Sequence, residues 1–313
     1  MDSSIIKISI IIPTYNEAKI IREKINNTLH FMAGIKRVAD CNFIIVDNGS
    51  TDETVAIAEN FPDVKIIKLG RVGKFEALRT ASKCNDSDWV MLSDANTMIT
   101  DFNVDQLAQL FKNNEISLLY GKVKRGGHSV NPRLGEVKSS SRLRLDEMIG
   151  LSSGAYGALY FIRQDSFISC FRNETIQNDD LFIAVMVHNS NPKIAQIIVE
   201  EVEDIGFKSE LKRKMRDSRG HWKCFSALAK FAPRKNFYYA LAVRGSIWSG
   251  IILLEILLLY FILNYFILSV LLLTVIALTE KGGIYLGRCL GFTLGFFDGI
   301  FRKPVKTWDT DRL

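Results

Sequence analysis

Short apolar runs alternate with helical stretches along the first hundred residues, and polar clusters sit at fixed points between them. Lys7 to Pro13 reads Lys-Ile-Ser-Ile-Ile-Ile-Pro, a β-branched run that stops at a proline. Such a run predicts a strand buried in a parallel sheet. Ala18 to Phe31 changes to helical spacing, with Ile21, Ile25 and Leu29 on one face. Asn42 to Val46 is a second strand, closed by Asp47-Asn48-Gly49-Ser50-Thr51-Asp52-Glu53. Ser50 or Thr51 suits the cap of the next helix, and Asp52 and Glu53 favour its positive end; that helix runs to about Asn60. Val64 to Leu69 is a third strand, 71–82 a loop then a helix, and Trp89 to Leu92 a fourth strand ending in Asp94-Ala95-Asn96.

This rhythm is that of an α/β fold with a parallel sheet. Right-handed crossovers bring the strand C-termini to one edge, where ligands bind in such sheets. The clusters 14–17, 47–53, 71–74 and 94–96 are therefore expected to converge. Asp94 and Asn96 bring oxygen ligands to a strand end, which suits a hard cation holding a phosphorylated ligand. They equally suit an ordinary Asx turn.

Further along, 107–121 reads as a helix and a strand, and 122–142 as a basic loop toward the acceptor side. Ser153 to Phe161 places small residues before a short strand; Gly154, Ala155 and Tyr156 stand where backbone can approach a ligand closely. Asp179-Asp180 precedes an apolar helical stretch, 194–199 reads as a strand, and 211–231 as a basic amphipathic helix or pair of helices.

Composition shifts after Ile247. The chain has 313 residues, 48% of them hydrophobic, and the excess lies in 247–279 and, more weakly, 284–301. The first segment exceeds the ~20 residues of one membrane span. Basic residues flank both ends, which predicts an even number of crossings with both ends in the cytosol. The expectation is a catalytic domain over 1–226, a C-terminal region over 227–313 with transmembrane helices, and a multi-pass cell-membrane protein whose catalytic domain is cytosolic. The net charge of +6 concentrates beside the apolar segments, which favours membrane lipids over nucleic acid as the partner. Five cysteines and four histidines show no zinc or CxxC spacing.

Four stretches resemble family 2 glycosyltransferases. Ile11-Ile12-Pro13-Thr14-Tyr15-Asn16-Glu17 is similar to their opening strand and loop. Val46 to Thr54 resembles the second strand and base-binding loop, Gly73-Lys74 with Ala77-Leu78 the third, and Ser93-Asp94-Ala95-Asn96 the D-x-D position. The resemblance covers about 7–226. It implies a GT-A fold with a mixed, mainly parallel sheet, a nucleotide-diphosphate sugar donor, Mg2+ or Mn2+, inversion at the anomeric carbon, and a lipid-linked or glycan acceptor. It also implies residue roles. Asp47 would meet the base, and Pro13, Thr14 and Glu17 the nucleoside. Lys74 and Arg71 would touch the nucleotide, and Asp94 and Asn96 ribose and metal. Asp180 would be the catalytic base, with Asp179 in the preceding acidic position. Arg213 and Arg216 would grip the diphosphate.

Two departures stand out. Asn96 replaces the second acid of D-x-D, an uncharged and so weaker ligand. Asp217 stands where processive synthases carry the tryptophan of Q-x-x-R-W, which points to transfer of one sugar rather than polymerisation. The competing classes are a nucleotidyltransferase, for which no Gly-rich triphosphate loop is present, and a nucleotide-sugar-binding protein without activity.

Overall fold

The computed structural model describes residues 5–84, 86–124, 141–202, 207–246, 253, 279, 287–295 and 298. Eight strands form one sheet in the order β3-β2-β1-β4-β7-β6-β8-β5. The first half follows the expected rhythm: β1 (Ile6–Thr14), α1 (Ile21–Ile35), β2 (Ala39–Asn48), α2 (Thr54–Ala58), β3 (Val64–Leu69), α3 (Lys74–Ser82) and β4 (Trp89–Ser93). β1 pairs in parallel with both β2 and β4, and β2 with β3. Their C-terminal ends therefore share one edge.

The apolar runs are continuous because both faces of these strands are covered. Along β4, Val90 and Leu92 enter one core layer with Phe75, Leu78, Phe182 and Leu228. Trp89 and Met91 enter the other with Ile25, Phe31, Leu107 and Phe161. α3, α7 (Asp179–Met186) and α8 (Phe207–Phe231) thus pack on one face, and α1 and α4 (Val104–Lys112) on the other. Phe75 and Phe182 meet edge to face, with ring centroids 5.5 Å apart. Trp89 is fully buried and its indole N–H donates to the Phe111 carbonyl at 3.1 Å, as a buried indole requires.

The second half makes the sheet mixed. β7 (Leu159–Arg163) inserts antiparallel between β4 and β6 (Leu118–Lys124), while β8 (Lys193–Glu201) runs parallel to β6. β5 (Thr97–Phe102) is a strand the sequence reading leaves unassigned; it pairs antiparallel with β8 at the far edge, with a register shift between Ile99 and Asp101. Of the expected basic loop over 122–142, 122–124 continue β6 and 141–142 belong to α5 (Ser141–Ile149), and residues 125–140 lie outside the described residues. α6 (Gln164–Ser169) follows β7 directly.

One expectation is corrected. Among the described residues no helix is long and apolar enough to cross a membrane, so neither the transmembrane helices nor the multi-pass cell-membrane location is supported. α8 has 25 residues, length enough, but it carries Lys212, Lys214, Arg216, Arg219, Lys223 and Lys230 along its course. The apolar segment 247–279 lies outside the described residues except Leu253 and Thr279; of 284–301 only 287–295 and 298 are described. The cysteines among the described residues are all free thiols.

Candidate active site

The four polar clusters meet at the C-terminal edge of the parallel strands. The β1 loop and the β2 loop are laced together: Asn16 N–H donates to Ser50 Oγ at 3.0 Å, Thr51 N–H to Asn16 Oδ1 at 2.8 Å, and Glu17 N–H to Thr54 Oγ1 at 2.7 Å. Asp47 is buried and its Oδ2 accepts the amides of Gly49 and Ser50 at 3.1 and 3.0 Å. Its carboxylate thus builds the turn that the sequence reading gave to the nucleobase. Gly49 adopts φ 80°, and a Cβ there would lie 3.0 Å from the Arg71 backbone nitrogen. Only a glycine lets the two loops approach this closely. Asn48, fully buried, accepts the amides of Val72 and Gly73 at 2.9 and 3.0 Å, which ties the 71–74 loop to the end of β2. Arg71 stacks on Tyr15 with its guanidinium carbon 4.0 Å from the ring centroid and touches its hydroxyl. Pro13 lines the pocket with Lys74, Asp94, Gly157 and Asp179; Thr14 is fully buried and Glu17 nearly so.

Lys74 stands at the centre. As the first residue of α3 it sends Nζ to Asp94 Oδ1 at 2.8 Å and to Asp179 Oδ2 at 3.1 Å. Burial works against its charge, yet the carboxylates of Asp179 and Asp94 outweigh this and raise its pKa. Asp179 and Asp180 open α7. Asp180 Oδ1 accepts the Leu181 amide at 2.8 Å, and Oδ2 accepts the Gly157 amide at 3.1 Å. A Cβ on Gly157 would lie 3.2 Å from Asp94 Oδ2 and 3.7 Å from Asp180 Oδ2, so this residue fills the gap between two of the acids. Burial lifts the pKa of Asp179 to about 6, against the pull of Lys74 and with the push of Asp180 and Asp94. Burial raises Asp180 as well, opposed by Lys74 and Arg244. A carboxylate poised nearer neutrality is suited to take a proton from a substrate.

The remaining expected residues fall as follows. Asn96 is buried, with Nδ2 3.5 Å from the Val202 carbonyl, and its own carbonyl accepts the Val202 amide at 2.8 Å. Ala155 donates its amide to the Asp180 carbonyl at 3.3 Å, and Tyr156 lies under Arg142. Arg216 is half exposed, 3.7 Å from Asp217 on its own helix, and does not line the pocket. The side chain of Arg213 lies outside the described residues. Among the described residues no group of three or more His, Cys, Asp or Glu is placed to hold a metal ion.

Lys24 escapes the sequence reading. It is fully buried, and Nζ donates to Ser93 Oγ at 2.8 Å and to the Thr97 carbonyl at 2.5 Å. It so clamps the Asp94–Asn96 turn on both sides. The signal was present: Ile21, Lys24, Ile25 and Thr28 share the buried face of α1. Burial lowers its pKa to about 7, partly offset by Asp94. As pH falls from 10.5 toward 7 the unfolded chain binds this proton first, so stability falls over that window. Lys24→Met is expected to remove that slope. In urea titrations the midpoint of the variant should gain on wild type as pH drops from 10 to 7; parallel curves would show that Lys24 stays charged in the fold.

The chain matches the model of "Glycosyl transferase family 2" over residues 9–170. It is 24% identical over 239 residues to a dolichyl-phosphate β-glucosyltransferase of Trichomonas vaginalis, covering 67% of this chain and 70% of that protein. It is 27% identical over 169 residues to the poly-β-1,6-N-acetyl-D-glucosamine synthase of Staphylococcus epidermidis, covering 53% of this chain but 34% of that protein. Among solved structures, the mannosyltransferase PcManGT of Pyrobaculum calidifontis, in complex with GDP-Man and Mn2+, shares the fold with TM-score 0.62 and 18% identity, over 96% of this chain and 89% of that one. With the family model covering more than half its length, the chain belongs to glycosyl transferase family 2 and is a glycosyltransferase.

Proposed function

We propose that this protein transfers one sugar from a nucleoside-diphosphate donor to an oxygen of a lipid-linked or glycan acceptor, with inversion at the anomeric carbon. The observation that carries this reading is the Lys74–Asp94–Asp179 contact with Asp180 beside it at the strand edge. In this reading 1–226 form the catalytic unit, completed by the end of α8. Lys74 and Arg71 face the diphosphate and nucleoside, and Pro13, Thr14, Glu17 and Asp47 shape the nucleoside pocket. Asp180 takes the proton of the acceptor as its oxygen attacks C1, a contribution of about 10²–10⁴-fold. Lys74 lies where charge develops on the departing diphosphate.

Asp94, a partly exposed carboxylate in the pocket lining, is the residue that would hold a divalent cation, with oxygens of the donor diphosphate as further hard ligands; Asn96 is buried and would reach it only through its amide oxygen. Mg2+ or Mn2+ held there would neutralise the leaving diphosphate as a Lewis acid. Donors of the kind bound by the Pyrobaculum protein, and acceptors of the kind named for the Trichomonas protein, define the substrates to try first. Incubation with UDP-glucose, UDP-N-acetylglucosamine or GDP-mannose and Mn2+ is expected to release nucleoside diphosphate in an acceptor-dependent manner. Pyrophosphate as the product would point instead to nucleotidyl transfer, and binding without turnover to an inactive binding protein. Asn96→Asp is expected to lower the Mn2+ concentration needed for half-maximal release; an unchanged requirement would remove residue 96 from the metal's ligands.

A further inference from the structure

Tyr160 carries a buried polar group to which the proposed transfer assigns no part. It lies near the start of β7, and its neighbours across the sheet are Leu92 of β4 and Tyr120 of β6. The two tyrosines enter the same core layer, with Phe75 of α3 and Leu181 and Phe182 of α7. Both are 1% exposed. Their hydroxyls differ. That of Tyr120 donates to Ser152 Oγ at 2.7 Å. That of Tyr160 is buried and, among the described residues, has no hydrogen-bond partner. A buried O–H left unpaired is destabilising, and phenylalanine would fill the same place without it.

The surroundings of this hydroxyl suggest its use. Tyr160 lines the pocket together with Lys74, Asp94, Gly157 and Asp179. α3 opens at Lys74 and α7 at Asp179, so the ring lies under the two helix starts that meet in the Lys74–Asp179 ion pair. Burial, and after it the charges of Asp179 and Asp180, hold the phenol pKa well above its usual value. The group therefore keeps its proton and remains a donor. The two neighbouring acids are fastened differently. Asp180 accepts the amides of Leu181 and Gly157, which stay in place whatever Lys74 does. Asp179 is held by Lys74 Nζ at 3.1 Å, the same ammonium that reaches Asp94 at 2.8 Å.

We propose that Tyr160 is a positioning residue for Asp179: its hydroxyl donates to that carboxylate when Lys74 turns to the diphosphate of the donor. This rests on the reading that Lys74 meets the diphosphate. A buried carboxylate stripped of its cation is costly, and a phenol O–H on a carboxylate is one of the stronger hydrogen bonds. The exchange keeps Asp179 beside Asp180 while the ammonium is engaged elsewhere. The hydroxyl is unpaired in the free protein because its bond belongs to the loaded one.

The test is Tyr160→Phe in the full chain, read in two ways. Without ligand, its urea midpoint should equal or exceed that of wild type, since no hydrogen bond is lost. In calorimetric titration with UDP and GDP in the presence of Mn2+, its affinity should fall about tenfold, since the loaded state loses a bond to a carboxylate. A double-mutant cycle with Asp179→Ala shows whether the hydroxyl acts through the acid: added to that variant, Tyr160→Phe should cause no further loss of affinity. Should Asp179→Ala not fold, Asp179→Asn gives the comparison, and the effect of Tyr160→Phe should be smaller there than in wild type. Unchanged affinity of Tyr160→Phe would overturn the proposal. So would a lowered midpoint without ligand, the mark of a purely structural role. An equal loss in both backgrounds would also overturn it, by placing the hydroxyl on the nucleotide itself. Failure of the underlying reading looks different: wild type binds neither nucleotide, or Lys74→Met binds them as tightly as wild type.

Discussion

Asp180→Asn is expected to slow nucleoside diphosphate release by about 10²–10⁴-fold while leaving donor affinity within about twofold of wild type. The amide keeps the shape of the side chain, and its oxygen can still accept the Gly157 amide that Asp180 holds at 3.1 Å. What it loses is the capacity to take a proton and, with one oxygen fewer, the bond from the Leu181 amide. Single-turnover rates and donor titrations on the same variant separate the two effects. The pH profile adds a second reading. With a phosphate-bearing acceptor the deficit should shrink above about pH 6, where the second phosphate proton dissociates and no proton is left to remove. With a hydroxyl acceptor it should persist to high pH. Full activity of Asp180→Asn at every pH would remove Asp180 from proton transfer altogether.

Lys74→Met is expected to be the most damaging change for both donor binding and stability. It removes an ammonium that touches both Asp94 and Asp179, two carboxylates that repel each other and Asp180. Breaking a buried ion pair from one side typically costs 3–5 kcal/mol, roughly, because the partner charge is stranded. Loss of a charged hydrogen bond to the diphosphate should weaken donor binding by about 10–100-fold. The pH dependence has a definite sign. The raised pKa of Lys74 means that its contribution is complete below 10.5 and disappears only at higher pH. At pH 7 wild type therefore enjoys all of it. The deficit of the variant should narrow as pH falls toward about 6, because without Lys74 to hold it down Asp179 takes up its proton at a higher pH than in wild type and the repulsion eases. Urea midpoints of both proteins at pH 5 and pH 7.5 measure this directly. A deficit that is constant with pH would mean that the stranded carboxylates are hydrated, and that Lys74 acts by packing alone.

The parallel half of the fold was legible because β1, β2 and β4 are buried on both faces and so read as unbroken apolar runs. The convergence of the polar clusters followed from direction alone, since parallel strands end on one edge. β5 was not legible. Thr97-Met98-Ile99 is buried but Thr100 and Asp101 are exposed, and its one partner is β8, across a register shift. Nor does local pattern reveal that β7 inserts between β4 and β6, because strand order is a long-range property. Lys24 was overlooked because a lysine reads as solvated, although its apolar neighbours at helical spacing placed it in the core. Arg142 and Arg244 read as part of a basic loop and a membrane flank; their meeting at Gly154 depends on elements far apart in the chain. The membrane expectation rested on apolar length, and the helices described do not support it.

The turn that carries Asp94 and Asn96 has a thermodynamic consequence for ligand capture. Lys24 holds it from below at Ser93 and Thr97, the Thr97 amide reaches back to the Asp94 carbonyl at 3.3 Å, and Val202 grips the Asn96 backbone at 2.8 Å. A segment fastened at these points has little conformational freedom left to surrender. If the donor binds at this turn as proposed, it has almost no chain ordering to do there, and its affinity should respond to charge and chemistry rather than to chain stiffness.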